Sequence, residues 1–364
     1  MQPTETGKDN GVKVKSLKRA FGFGLSAEVV LIAFIAAILF QVVISMIIKS
    51  DAVYSWVAVV SNQVIFCVVV LLFCKYKSVS YVEITGFARP PKFKYFLLFL
   101  PIAFLAVASF APLASLFSRL IAKAGYSYSP DYHIAFTDPA LFTVSLFALG
   151  ILPAIGEETL LRGALLSGAK TRSIPFALFY SSLVFALIHG NAVQLVHQFL
   201  LGCLMGYFAL ATRSVYASAT IHFVNNATAL LLDHGAINGW INKTFYSYFD
   251  ASFSFGLSEG TFALFVVLSW VLLIGFSFLA TFLLKRDKEK ENGAPYEKGR
   301  GDLLTYLATP SLKEKEKEEE RATAKGVRLI EPEPSIEGEA VLHVVLLALL
   351  AMILVAGVLS EVLK

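Results

Sequence analysis

Nine apolar runs, each about 17–30 residues long, follow one another along this chain and restrict its fold more than any other feature. They cover about Ala27–Ile48, Val53–Cys74, Tyr95–Ile121, Pro139–Gly168, Ile174–Gly190, Val193–Ala211, Val215–Leu232, Thr261–Leu284 and Val341–Leu363. A bilayer's hydrocarbon core is about 30 Å thick, which a helix rising 1.5 Å per residue crosses in about 20 residues. In lipid the backbone has no water to bond to, so each such run must satisfy its own N–H and C=O groups as a helix. The expected fold class is therefore all-α, a polytopic membrane helix bundle of about eight spans plus a C-terminal ninth. Composition agrees. The chain is 56% hydrophobic and 16% charged, against about 25% charged in soluble domains. A formal net charge of +4 over 364 residues gives no reason to expect nucleic acid as a partner, whereas membrane lipid is an expected one.

Charge then divides the chain. Residues 1–26 form a basic amino-terminal segment with Lys8, Lys13, Lys15, Lys18 and Arg19. The run that follows is too long for a secretory signal and reads as a retained helix. Residues 27–284 form the membrane bundle. Residues 285–340 are dense in both charge signs, as in the run Lys313–Arg321, and read as a partly helical or disordered cytosolic segment. Residues 341–364 form the last transmembrane helix. Lys and Arg concentrate in the amino terminus, the 75–94 connection, the 170–172 turn, Arg213 and residues 285–340, while the alternate connections hold only Lys49, Arg119, Lys123 and Lys243. An integral, multi-pass protein with a cytosolic amino terminus satisfies the positive-inside rule at every connection. The 139–168 run is expected to be kinked by Pro153 or to be two helices in series, and Gly202-x-x-x-Gly206 to let two helix backbones approach closely. Cys67, Cys74 and Cys203 all lie inside apolar runs without paired spacing, so they read as packing residues.

Ionisable residues inside the apolar runs are few and stand out. A charged side chain at the bilayer centre costs about 2.5–3.5 kcal/mol on insertion scales, so such residues point to function. The first group is Gly156-Glu157-Glu158-Thr159-Leu160-Leu161-Arg162-Gly163. Glu158 and Arg162 are four apart with the acid first, the favourable order for an ion pair on one helix face. Glu157 points about 100° away and is expected to be free for other work. The second group is His189, one turn beyond Phe185, and the third is His222 with Asn226. Measured along their helices from Lys170–Arg172 and from Arg213, these residues fall roughly 14–26 Å from one membrane face, in a single layer.

Such a set suits hydrolysis of an amide. A carboxylate in a poorly solvated pocket can take a proton from water, a neighbouring His can hold that water, and a His and an Asn on one face can donate to an oxyanion. The expected roles are Glu157 as general base, His189 as its partner on the water, and His222 with Asn226 as the oxyanion site. Glu158 and Arg162 are expected to form a supporting ion pair that orients the others.

Glu157-Glu158-x-x-x-Arg162, Phe185-x-x-x-His189 and His222-x-x-x-Asn226 resemble, in order and type, the three motifs of the CAAX prenyl protease and bacteriocin-processing (CPBP, ABI) family of membrane proteins, over a catalytic core of residues 139–232. The resemblance implies an intramembrane glutamate-type endopeptidase without a cofactor, acting on a membrane-associated protein or peptide. Eukaryotic members of that family trim prenylated CAAX carboxyl termini, while bacterial members have varied substrates. Three other readings use the same residues: a peptidase with a divalent metal such as zinc held by Glu157, His189 and His222, a proton-relaying transporter, and a non-catalytic scaffold or immunity protein. His197 with Gln194 and Gln198 reads as a polar face for interhelical bonding. His133, His234 and His343, near run ends or in connections, read as idle. No His-Glu-x-x-His occurs, and Gly299-x-Gly301-Asp302 reads as a chance protease-like string in a charged segment.

Overall fold

The computed structural model describes residues 16–19, 21–123, 125–126, 138–240, 259–297, 301–325, 327–330 and 338–362. The basic residues 1–15, His133 and most of the 241–258 connection lie outside the described residues. The chain is a multi-pass helical bundle. Its helices are α1 (Phe23–Ile47), α2 (Asp51–Tyr76), the short α3 (Tyr81–Thr85), α4 (Phe93–Ala122), α5 (Pro139–Ala169), α6 (Ile174–Leu187), α7 (Leu195–Thr212), α8 (Val215–Ile237), α9 (Glu259–Asn292), α10 (Leu303–Ala308), α11 (Leu312–Lys325) and α12 (Gly338–Val362). All nine apolar runs are helices. Seven of these, α1, α2, α4, α5, α7, α9 and α12, are long and apolar enough to cross a bilayer. At 14 residues α6 spans only about 21 Å, and α8 is long enough but carries the polar residues of the third motif.

Local chemistry fixes where several helices begin. The Asp138 side chain accepts from the Ala140 N–H with Pro139 in the first turn of α5, and Ser173 accepts from the Phe176 N–H with Pro175 in the first turn of α6. Large apolar side chains such as Leu39, Ile47, Leu264 and Phe278 face outward, as a lipid-facing surface requires. Inside, Phe99, Leu160, Leu165, Phe185, Leu201, Met205, Phe208 and Ile221 are fully buried. At Gly202 and Gly206 a Cβ would press on Ser182 and Leu178, so the small pair is where α7 meets α6.

Helix α5 is continuous but not uniform. A π-helical segment at Leu146–Ile151 precedes the α-helical turn Leu152–Glu158, and a second follows at Thr159–Leu166. Pro153 sits just after the first. Having no N–H, it offers nothing to the carbonyl of Leu149 four residues back. The widened turns therefore absorb what the sequence reads as a kink.

Within 285–340 the described residues hold α10, α11 and a four-residue strand β2 (Val327–Ile330), which pairs in parallel with β1 (Ser16–Arg19). That pair was not expected. Lys288, near the end of α9, donates to the carbonyls of Tyr306, Leu307 and Thr309, holding the C-terminal end of α10. Arg213 pairs with Glu314 of α11, and Asp302, in the string set aside as chance, caps α10 by accepting from the Thr305 N–H and hydroxyl. Gly86, at φ +68°, ends α3 against the Arg213 carbonyl, where a Cβ would collide.

Two histidines read as idle are built in. His343 of α12 is buried, with Nδ1 2.6 Å from the Tyr180 hydroxyl and Nε2 donating to the Phe23 carbonyl at 3.0 Å, and it stacks on the Phe23 ring at 3.6 Å. His234 is buried and stacks on Phe142 at 4.4 Å. Neither contact has a local sequence signature, because each partner is distant along the chain. Further along α12, Gly357 lies against the Gly190 carbonyl, so the last helix supports the turn that follows His189.

Candidate active site

The two acids at the centre of α5 have opposite surroundings. Glu158 is 1% exposed and its Oε1 accepts from two donors, Arg162 Nη1 at 2.8 Å and His222 Nδ1 at 3.0 Å. Arg162, equally buried, also donates through Nη2 to the Gly202 carbonyl at 3.2 Å and lies over the Phe185 ring at 4.5 Å. Its charge is thus shared by a carboxylate, a carbonyl and an aromatic face. The ion pair expected from the i,i+4 spacing is present, and it is tied to α6, α7 and α8.

Glu157, its side chain 12% exposed, has one side-chain donor among the described residues. Gln63 of α2 donates from Nε2 to Glu157 Oε1 at 3.0 Å. Glu157 Oε2 is buried without a protein partner and lies 3.9 Å from His222 Nε2. Glu157 was expected to be free, so Gln63 is a partner the sequence reading missed. A signal was present, since Asn62 and Gln63 sit mid-run between Val53 and Cys74, and an amide there needs a partner. Asn62 finds Gln41 of α1 at 2.8 Å.

The histidines are oriented by bonds on their far nitrogens. Donation from Nδ1 to Glu158 directs His222 Nε2 towards Glu157. His189 Nδ1 donates to the Phe185 carbonyl at 2.8 Å, one turn back, leaving Nε2 as the acceptor nitrogen. Glu157 and His222 both lie within electrostatic range of His189. The Phe185 ring meets both imidazoles edge-on, at 5.0 Å from His189 and 5.6 Å from His222. Phe185 thus touches three of the polar side chains at once, a role its position as motif spacer does not announce.

Asn226 is engaged differently from expectation. Its Nδ2 donates at 3.0 Å to the carbonyl of Leu149, the group that Pro153 cannot serve, while Asn225 Nδ2 donates to Asn226 Oδ1 at 3.2 Å. One of the two amide hydrogens of Asn226 is therefore spent on the π-helical turn of α5. The polar face on α7 holds His197, whose ring meets Phe110 edge-on at 6.1 Å. Among the described residues no three of His, Cys, Asp and Glu converge as a set able to hold a metal ion, so the geometry gives the zinc reading no support.

Compared with known proteins, residues 139–228 match the family model described as type II CAAX prenyl endopeptidase, Rce1-like, over 90 of the 364 residues. No curated protein and no solved structure gives a match. The matched stretch begins at α5 and ends two residues past Asn226, so it contains all three motifs and omits Gln63.

Proposed function

We propose that this chain, which over residues 139–228 belongs to the CAAX prenyl protease type of membrane endopeptidases, hydrolyses a peptide bond in a membrane-associated protein or peptide with a water activated by Glu157. One observation carries the reading. The unpartnered oxygen of Glu157 is buried 3.9 Å from His222 Nε2, and His189, from a third helical piece, lies within electrostatic range of the same acid, with the far nitrogens of both rings already fixed.

Each side chain then has a task. A water has two hydrogens to give, and Glu157 Oε2 and His189 Nε2 are two acceptors for them, which leaves an oxygen lone pair for the substrate carbonyl carbon. As that oxygen bonds to carbon, one water proton passes to Glu157 and the carbonyl oxygen becomes an oxyanion. His222 Nε2 when protonated, and the remaining amide hydrogen of Asn226, are the donors to that oxyanion. Collapse breaks the C–N bond, and the proton on Glu157 goes to the leaving amine. Glu158 and Arg162 move no proton. They hold His222 by its Nδ1.

The family's prenylated CAAX substrates define the first probe. The purified full-length chain in detergent, given a farnesylated CAAX peptide, is expected to release the terminal tripeptide, and Glu157→Ala to abolish release while remaining folded. Cleavage by Glu157→Ala at the wild-type rate would overturn the mechanism. Failure of the wild-type chain to cut either that peptide or its unprenylated counterpart would overturn the peptidase reading.

A further inference from the structure

Gln63 lies outside the matched segment, 94 residues from its partner, yet among the described residues it supplies the single side-chain hydrogen bond to the proposed base. The amide's orientation follows from chemistry. An amide oxygen turned towards a carboxylate oxygen would set two acceptors against each other, so the nitrogen must face Glu157. The place is also built for it. Gly156, next to Glu157, has no room for a Cβ, which would lie 2.5 Å from Gln63 Oε1, 2.8 Å from its backbone oxygen and 2.9 Å from its Cα. The backbone of α5 has therefore come onto α2 at Gln63, and the amide is 7% exposed. Bonding at Oε1 fixes the plane of the carboxylate and keeps Oε2 on the side of His222 Nε2.

We propose that Gln63 is a positioning residue of the peptidase, orienting the Glu157 carboxylate through Oε1 so that Oε2 is presented to the water. This rests on the peptidase reading above. The plain alternative is a packing contact between α2 and α5, and the neighbouring amide gives a control, because Asn62 makes an interhelical bond to Gln41 that touches no site residue.

The test compares Gln63→Met, Gln63→Glu, Asn62→Leu and Glu157→Ala in the full-length chain, with the farnesylated CAAX peptide as probe and folding read by size exclusion. Gln63→Met keeps the length and removes the donor. Its kcat is expected to fall about 10- to 100-fold with little change in KM, as befits a hydrogen bond to a charged group. The acid limb of its kcat/KM profile should move to higher pH, because a lost donor to the charged form makes protonation easier. The ionisable groups around Glu157 in that profile are its chain neighbour Glu158, Arg162, His189 and His222. Gln63→Glu has the size of the original and regains a donor only when protonated, so its activity relative to Gln63→Met should rise as pH falls. Asn62→Leu should keep the wild-type kcat and profile. If Gln63→Met and Gln63→Glu both keep the wild-type pH profile, or lose no more kcat than Asn62→Leu, while Glu157→Ala is inactive, the positioning role fails and the peptidase reading stands. If Glu157→Ala is itself active, both fall together.

Discussion

Replacing Arg162 by Met asks how much the buried charge of Glu158 depends on its partner. Arg162 gives Glu158 a hydrogen bond at 2.8 Å, gives the Gly202 carbonyl another at 3.2 Å, and covers the Phe185 ring at 4.5 Å. Methionine retains much of the volume and none of the donors. Glu158, 1% exposed, then keeps His222 but loses its guanidinium, and leaving a buried charge without its ionic partner costs about 3–5 kcal/mol. Removing both charges is different. In Glu158→Leu with Arg162→Met no unpaired ion remains, and replacement of a buried pair by apolar residues is neutral or stabilising by about 1–4 kcal/mol. Against that stands the lost acceptor for His222 Nδ1, about 1–3 kcal/mol. At mid-range values the double variant should therefore be about 2 kcal/mol or more above Arg162→Met in stability, and it should be inactive because His222 has lost the acceptor for its Nδ1. Reversible unfolding of the purified chain in mixed micelles, followed by tryptophan fluorescence, measures both differences. An Arg162→Met cost below about 1 kcal/mol, or a double variant no more stable than the single, would refute the claim that Glu158 depends on this partner.

Two other substitutions probe neighbouring links. Asn226→Leu should destabilise by about 0.5–1.5 kcal/mol by removing a donor to the Leu149 carbonyl, and the cost should shrink when Pro153→Ala restores an N–H to α5; equal costs in the two backgrounds, measured by the same unfolding assay, would break the link between Asn226 and Pro153. At the docked charged segment, burial pushes the Glu314 carboxyl up, but the Ser311 N–H and Arg213 outweigh it and hold the group below its ordinary 4.5. Its stabilisation of α11 is thus full above that value and is lost as pH falls through the depressed one. Limited proteolysis of residues 301–325 should become faster over that acidic interval in the wild type, and Glu314→Gln should be cut readily at every pH.

The helices and the three motifs were legible because both are local. A run of apolar residues reports its own helix through the need to satisfy backbone groups in lipid, and Glu158 with Arg162 reports a shared face through spacing alone. The remainder depends on partners brought together only by folding. Gln63 carries a hint, an amide inside an apolar run, but nothing in the run says that the partner is Glu157 rather than a neighbouring span. Asn226 was read from its helix face as an oxyanion donor. That face also meets Leu149, and only the tertiary contact between α8 and the π-helical turn of α5 reveals the demand created by Pro153. His343 looked idle near the start of a late run because its partners, Tyr180 and Phe23, lie 163 and 320 residues away.

The contrast between the adjacent acids supports the proposed division of one helix into a fixed anion and a base. Glu158 receives a guanidinium donor and an imidazole donor on a single oxygen, so its charge is committed to structure. Glu157 receives one neutral amide and keeps its second oxygen free of protein donors. Paired carboxylates in unlike surroundings commonly divide into two roles. The charge count makes the division useful in an apolar setting. In the proposed reaction Glu158 and Arg162 cancel, and as Glu157 takes the proton of the attacking water its negative charge passes to the oxyanion, whatever the state of His222. On that proposal the attack leaves the net charge unchanged and brings no new ion into low dielectric, the step that a bilayer penalises most. Stronger donors on Glu157 would stabilise the resting carboxylate and weaken it as a base. A single neutral amide from Gln63 holds one oxygen of the group and adds no charge, which is why an amide, and not a lysine or arginine, suits the proposed role at that position on α2.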